Sequence, residues 1–446
     1  MQNMRMTIIS LAAIACMCDV CAAKLPRVSV SRNGFVASDG KPFVPFGVNY
    51  YRPGTGWAPQ VWKKFDAQAV RRDMQLLRSM GGNCVRVFLT YGSFYQEPGV
   101  LSQEGLARFD EFLAIAEQAG VYVHPTGPDH WEGTPQWAHA DRYADEKMLA
   151  AQEQFWTLLA SRYRGRGVIF AYDLLNEPMI RWDSAAMRAL WNRTVPPDQN
   201  APGDPALLEY QRFRESIADE WTRRQVRAIK AADADALVTV GLIQWSVPVL
   251  LPKISHHAAF VPARQARFLD FMEVHFYPLE GGLLDYEDQQ QYTRNLAYLE
   301  SVVREVAAPG KPVVIAEFGW AGGGGIPTGG DKLSSPRSAE GQARWCGDVV
   351  TSTAGLAVGW LNWGFYDQPE ARDVSVRTGL LTAEGEEKPW AKRFRELAAQ
   401  HAGRSIEPRK LGPRPALDWD ACITDTRAGD RFRAEYTKAF WAERGG

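Results

Sequence analysis

Cysteine is scarce in this chain: there are six in 446 residues, and Cys16, Cys18 and Cys21 fall within the first two dozen. The remaining Cys84, Cys346 and Cys422 are too few and too far apart for a metal-ligand motif or a disulfide framework. One bridge among them is open; buried free thiols are the plainer reading. Excess charge is also missing. Lys and Arg number 51 against 52 Asp and Glu, a formal net charge of −1, which gives no electrostatic footprint for nucleic acid or an anionic membrane. The longest apolar run, near the N-terminus, is too short for a membrane-spanning segment. Seven histidines show no His-Glu-x-x-His spacing, the acids form no EF-hand loop, and no Gly-x-Ser-x-Gly elbow occurs. The pattern therefore calls for no metal, no cofactor and no serine nucleophile. Neither an internal repeat nor a low-complexity block is present.

What the chain does have is apolar and aromatic bulk, at 46% hydrophobic and 11% aromatic with 16 Trp. Flat aromatic faces fill cores and also stack on the apolar faces of sugar rings. Residues 1–23 read as a signal peptide: Arg5 is the positive start, Thr7 to Cys18 the apolar stretch, and Val20-Cys21-Ala22-Ala23 the small-residue cleavage region. The expectation is a secreted or periplasmic protein cut after Ala22 or Ala23. Lipid anchoring through Cys16, in Ala13-Ile14-Ala15-Cys16, is the alternative.

Past the leader, Asn33-Gly34 and Asp39-Gly40 are turn dipeptides beside β-prone runs and predict a short hairpin. Strand-like runs then recur near 45–50, 84–89, 121–125, 168–175, 237–242, 270–276, 312–316 and 357–363. Helical patterns lie between them. From Asp66, residues Val70, Met74 and Leu77 share one face, with a stop at Gly81-Gly82. Leu106, Phe109 and Leu113 do the same before Gly120. Eight strand–helix units predict an α/β fold, a parallel (β/α)8 (TIM) barrel spanning 24–402, with functional residues at the C-terminal ends of its strands. Residues 403–446, with one late helical stretch near 430–443, read as an extension packed on the barrel. Loops 178–206 and 319–337 are long. The glycine run in the second lacks a phosphate-loop Lys-Ser/Thr and reads as a mobile rim.

Two glutamates stand out. Glu177 closes the run Tyr172-Asp-Leu-Leu-Asn-Glu-Pro178, and Glu317 lies in Val314-Ile-Ala-Glu-Phe-Gly-Trp320. Two carboxylates at strand ends, ringed by aromatic and hydrogen-bonding residues, suit the cleavage of a glycosidic bond. Over roughly residues 43–400 the chain resembles glycoside hydrolase family 5, of the clan of retaining barrel glycosidases. The marks are Leu175-Asn-Glu-Pro178 at the fourth strand, His275-Phe-Tyr277 at the sixth, Ala316-Glu-Phe-Gly319 at the seventh and Asn362-Trp363 at the eighth.

The resemblance implies Glu177 as general acid/base and Glu317 as nucleophile. It also implies Asn176 as the partner of the sugar 2-hydroxyl. An acid catalyst must carry a proton, which a neighbouring carboxylate and partial burial favour; a nucleophile must be ionised, for which Arg86 and Tyr277 are the candidate partners. Each supporting residue has a plainer reading. Arg86 could be a structural ion pair, Asn176 a helix cap, His275 a core histidine and Trp363 barrel packing instead of a platform for the sugar. The family often places a histidine at the third strand, where this chain offers His124 and His130; His130, past the strand end, suits a substrate contact better. Asn49, Gln244 and Trp245 also stand at strand ends where contacts are expected.

The function these residues imply is a secreted, retaining β-glycoside hydrolase acting on a β-mannan or β-glucan type of substrate. A transglycosylase would use the same intermediate. A carbohydrate-binding pseudoenzyme would usually have lost a carboxylate. The carbohydrate is the only partner the sequence indicates, and it leaves oligomeric state open. Loop 178–206 could wall off one end of the cleft and make the enzyme exo-acting.

Overall fold

The chain first builds a small antiparallel sheet, β1 (Val28–Ser31), β2 (Gly34–Ala37) and β3 (Pro42–Phe43), which is the expected hairpin with one strand added. The eight barrel strands follow. In the computed structural model, which describes residues 24–55, 60–191, 205–330 and 332–443, they are β4 (Phe46–Asn49), β5 (Cys84–Thr90), β6 (Tyr122–Asp129), β7 (Tyr172–Asn176), β8 (Val238–Leu242), β9 (Met272–Phe276), β10 (Val313–Phe318) and, after a short antiparallel pair β11 (Pro327–Gly329) and β12 (Lys332–Leu333), β13 (Trp360–Asn362). The barrel is closed in the order β4 to β10, then β13, with parallel pairing between neighbours. All eight predicted runs are barrel strands.

Local chemistry explains the helices between them. Asp66 caps helix Ala67–Ser79 by accepting from the backbone N–H groups of Gln68 and Ala69, and Val70, Met74 and Leu77 are buried as their spacing predicts. Ser102 caps helix Gln103–Ala119, which ends where Gly120 takes a left-handed φ of 74°.

The interior is layered along the barrel axis, because alternate residues of each strand face inward. The N-terminal mouth is plugged by β2 and β3. Phe35 meets Phe170 and Phe271 edge-on, both with centroids 5.1 Å away, and Phe43 lies 4.6 Å from Tyr122. Cys84 belongs to this apolar floor; it, Cys346 and Cys422 are buried free thiols. Two residues further along the strands the layer becomes polar, with Arg86, His124, Asp173 and Glu273 wholly buried. Above it lies the C-terminal mouth.

The segment after residue 402 packs on the barrel wall. Helix Thr426–Glu443 buries Phe432, Tyr436 and Phe440. The buried carboxylate of Glu300, on helix Gln289–Ala307, accepts from Arg414 Nε at 2.8 Å, from the Tyr436 hydroxyl at 3.1 Å and from Arg409. The glycine run read as a mobile rim is tied down, since Gly323 and Gly324 donate to the Arg337 carbonyl and Arg337 donates back to Gly324. Residues 1–23, which carry the expected signal peptide, and 192–204, the middle of loop 178–206, lie outside the described residues. Among the described residues, no helix is long and apolar enough to cross a membrane.

Candidate active site

Arg86 organises the site. Its guanidinium is fully buried and donates to Asp173 Oδ2 (2.7 Å from Nη2, 3.1 Å from Nε), to Glu317 Oε1 (2.7 Å), to Asn49 Oδ1 (2.9 Å) and to Asn176 Oδ1 (2.9 Å). Glu273 Oε1 lies 3.4 Å from its Nε. Burial works against this cation, but Asp173, Glu317 and Glu273 hold it firmly charged. Burial likewise disfavours the Glu273 carboxylate, yet His124, His275 and Arg86 hold it well below the usual carboxylate range. Burial and Glu273 push Asp173 up, against the pull of Arg86 and His124. The cluster is a buried ion network, not an isolated pair, which answers the desolvation cost of each member.

Above this network stand the two glutamates. Glu317 Oε2 accepts from the Tyr277 hydroxyl at 2.9 Å. His275 Nδ1 lies 3.1 Å from Glu177 Oε1 and 3.4 Å from Glu317 Oε1, so one imidazole nitrogen bridges the carboxylates. Carboxylate oxygens of the two glutamates approach within 4.8 Å of one another. Burial works against the His275 imidazolium, but Glu317, Glu177 and Glu273 push it up to about 10, so it is charged at neutral pH. Burial pushes the Glu317 carboxyl up; the imidazolium, the guanidinium and the Tyr277 hydroxyl oppose that push by favouring the ionised form. Burial and both glutamates raise Tyr277 well above its ordinary value, so it remains a phenol that donates.

Backbone geometry delivers these side chains. Glu177 follows β7 with a φ of +44°, a region that costs a non-glycine residue energy and is found at functional sites. Its N–H is anchored on the Gly241 carbonyl at 2.9 Å. In β10 the register shifts between Ile315 and Glu317 against β9, and this irregularity turns Glu317 inward. Gly241 has to be small, because a Cβ there would lie 3.0 Å from His275 Nε2 and 3.1 Å from both Arg86 Nη2 and Asp173 Oδ2. Gln244 fixes Tyr277 from behind, accepting from its N–H at 2.7 Å and donating to its carbonyl at 3.2 Å.

The glutamates lie in a cleft of about 450 Å³, within the range of small-molecule sites. Trp131, Trp245, Trp320 and Trp363 line it, with Tyr277, Asn176 and the Arg372–Ser375 segment. Trp363 packs against Tyr51 and Phe88 and is held by a 2.8 Å bond from its Nε1 to Ser375 Oγ. Trp245 also borders an adjoining hollow of about 400 Å³, beside Met179, Trp182, Lys253 and His256.

The structure thus gathers Glu177, Glu317, Arg86, Asn176, His275, Tyr277, Trp363 and Trp245 at one mouth. Two expectations need correction. Asn49 is buried below the cleft floor, where Arg86 binds its Oδ1 and its Nδ2 donates to the Ala316 and Asn362 carbonyls. Having spent its donors on the barrel, it steadies Arg86 and does not face a substrate. His130 stands exposed at the rim, stacked on Trp131 with its Nδ1 3.3 Å from Asp129; Trp131, not His130, lines the cleft. His124, the other third-strand histidine, lies in the buried network, 2.8 Å from Glu273. The helix-cap reading of Asn176 also falls, since the next helix begins only at Ala185. Asp173, Glu273 and Gly241 were missed. Stepping back along the strands by two residues from His275 and by four from Glu177 finds both acids, and a lone glycine within Val238-Thr-Val-Gly-Leu242 marks the third.

Two groups of donors, His124/Asp173/Glu273 and Glu177/His275/Glu317, are each compact enough to hold a metal ion. Arg86 already occupies the space and supplies the charge between them. Its guanidinium is bonded to Asp173 Oδ2 in the first group and to Glu317 Oε1 in the second.

A closed parallel barrel with a paired-carboxylate cleft at its C-terminal mouth defines the class of molecule. The chain belongs to glycosyl hydrolase family 5: the family model described as Cellulase (glycosyl hydrolase family 5) matches residues 36–368. Mannan endo-1,4-beta-mannosidase F of Aspergillus clavatus is 22% identical over 315 residues, 64% of this chain and 64% of that protein. The chain therefore spans just under two thirds of that relative's length. Mannan endo-1,4-beta-mannosidase A of Aspergillus aculeatus is 22% identical over 330 residues, 67% of this chain and 78% of the relative. Two solved structures share the fold. One is a GH5_18 variant from Streptomyces cattleya in complex with Manb1-4GlcNAc (19% identity, TM-score 0.64, 89% of this chain, 92% of that one). The other is an exo-beta-1,4-mannosidase from Opitutaceae bacterium strain TAV5 (19% identity, TM-score 0.63, 85% of this chain, 63% of that one).

Proposed function

We propose that the protein is an exported, retaining β-glycoside hydrolase that cleaves β-mannosidic bonds in a polysaccharide or its oligosaccharides. The observation that carries this reading is the carboxylate spacing. One oxygen of Glu177 and one of Glu317 lie within 4.8 Å, which suits the roughly 5–5.5 Å between the carboxyl groups of retaining enzymes better than the roughly 6.5–9.5 Å of inverting ones. Glu177, partly open to the cleft, protonates the departing oxygen while Glu317 attacks the anomeric carbon. The glycosyl–Glu317 ester then forms, the leaving group departs, and Glu177 takes a proton from the water that opens the ester with overall retention. Trp363 is the platform beneath the sugar, and Asn176, aimed by Arg86, meets the 2-hydroxyl.

The mannoside preference rests on the names of the relatives and of one fold neighbour. A β-glucan is the second reading, favoured by the description of the matching family model. Purified protein assayed on β-mannan, β-glucan, xylan and aryl β-glycosides decides between them, and comparing acceptor-sugar products with free reducing ends separates hydrolysis from transglycosylation. Glu317→Ala is expected to abolish turnover and to be partly rescued by azide as an inverted glycosyl azide. Near-normal activity in that variant would remove the nucleophile assignment. Export rests on the leader pattern, and N-terminal sequencing of the exported protein tests it by starting at Ala23 or Lys24.

A further inference from the structure

A second buried arginine, Arg214, is bound differently from Arg86. It lies on helix Pro205–Ala232, wholly buried, and among the described residues its hydrogen bonds go to neutral oxygens. Nε and Nη2 donate to the Ile180 carbonyl (3.1 Å from Nε), Nη2 also to the His257 carbonyl at 2.7 Å, and Nη1 to Gln211 Oε1 at 2.6 Å. The guanidinium lies over the Trp182 ring, 4.8 Å from its centroid. Burial lowers it to about 10, which leaves it charged at neutral pH. Glu215 and Asp183 favour the cation only through space; a buried cation with no directly bonded carboxylate among the described residues is costly, and an apolar side chain would fill the space at less expense. What an apolar side chain cannot do is hold two carbonyls at a fixed separation.

Those carbonyls belong to the two loops that flank Glu177. Ile180 follows Glu177 by three residues, and its N–H donates to the Ala258 carbonyl at 3.2 Å; Ala258 N–H in turn donates to the Trp245 carbonyl at 3.2 Å. The Arg214 fork therefore closes a seam joining the loop that bears the acid/base to the loop that bears Trp245. Glu177 needs holding from both sides, because its positive φ persists only where its surroundings enforce it. The Gly241 carbonyl anchors Glu177 by accepting from the Glu177 N–H, and the seam supplies the anchor downstream.

We propose that Arg214 is a positioning residue for proton donation, setting the pose of Glu177 and the distance from it to Trp245 without touching substrate. This rests on the reading of Glu177 as acid/base. Arg214→Met and Arg214→Lys are compared on a β-mannan oligosaccharide, whose leaving group needs a proton, and on 2,4-dinitrophenyl β-mannoside, whose leaving group does not. In kcat/KM, which excludes the later step where Glu177 acts as base, a displaced acid costs about tenfold or more on the first and little on the second, and added guanidinium ion is expected to restore an Arg214→Ala variant on the oligosaccharide. Equal losses on both substrates, or none, overturn the proposal. So does loss of the folded circular dichroism spectrum in both variants, which would make Arg214 a folding residue only. Glu177→Ala is run alongside. Selectivity in Glu177→Ala without selectivity in the Arg214 variants removes this proposal alone, whereas its absence in Glu177→Ala removes the acid/base reading and this proposal with it.

Discussion

Replacing Arg86 by methionine takes away the cation that three buried carboxylates share. Asp173, Glu273 and Glu317 would remain with His275 as the charged partner common to the last two. Breaking a buried ion pair from one side costs about 3–5 kcal/mol. At about 2.1 cal/mol/K of unfolding entropy per residue, that lowers Tm by about 3–5 °C in a chain of this length. The deficit has a sign in pH. Without the guanidinium, the carboxyls of Asp173 and Glu317, already pushed up by burial, rise further above their unfolded values. The folded variant then binds protons that the unfolded chain does not, so its stability falls as pH rises through those folded values. The gap between variant and parent is therefore wider at pH 8 than at pH 5. Activity falls as well, because Glu317 loses a charge-assisted bond worth about 1.5–3 kcal/mol, or about 10- to 150-fold in kcat/KM. The acidic limb of that profile moves to higher pH. Calorimetry across pH with a kcat/KM profile checks all of this. An Arg86→Met protein with unchanged Tm at pH 8 and an unmoved acidic limb would refute the network account.

Tyr277→Phe deletes only the 2.9 Å bond to Glu317; kcat/KM is expected to drop about 10- to 100-fold with its acidic limb shifted upward, while Tm changes little. Gly241→Ala inserts a methyl 3.0–3.1 Å from three members of the site. Overpacking of about 1–3 kcal/mol should appear in the thermal transition, and kcat should fall through displacement of His275. Glu300→Gln weakens the clamp on the C-terminal segment. Proteolysis after residue 402 is expected to accelerate with kcat unchanged, and an altered kcat would mean that the extension acts on the cleft.

Much of this was legible because the barrel writes itself in strong local signals. Asp66 announces a helix start, Gly120 announces a stop, and each strand is an apolar run of the right length. The glutamates were legible because acids at the ends of such runs are expensive without a purpose. The polar layer beneath them was not. Asp173 and Glu273 look like chance acids in their strands until barrel closure brings them to Arg86 from β7 and β9. Asn49 was misjudged for the same reason: its position along β4 is that of a rim residue, but the stagger of the neighbouring strands places it under the floor. His130 lost its place to Trp131 because the chain turns after Asp129, whose carboxylate accepts from the backbone N–H groups of both residues and aims the next ring inward.

The aromatic plug formed by Phe35 and Phe43 places the first described strands on the opposite end of the barrel from the cleft. Leu25 packs against this floor, so the chain at Lys24 lies on the far side from the cleft. A fusion partner, a purification handle or a tether to a solid support at that end would leave the cleft facing outward. Immobilised in this orientation, the protein is expected to retain access to chains too large to diffuse into a matrix.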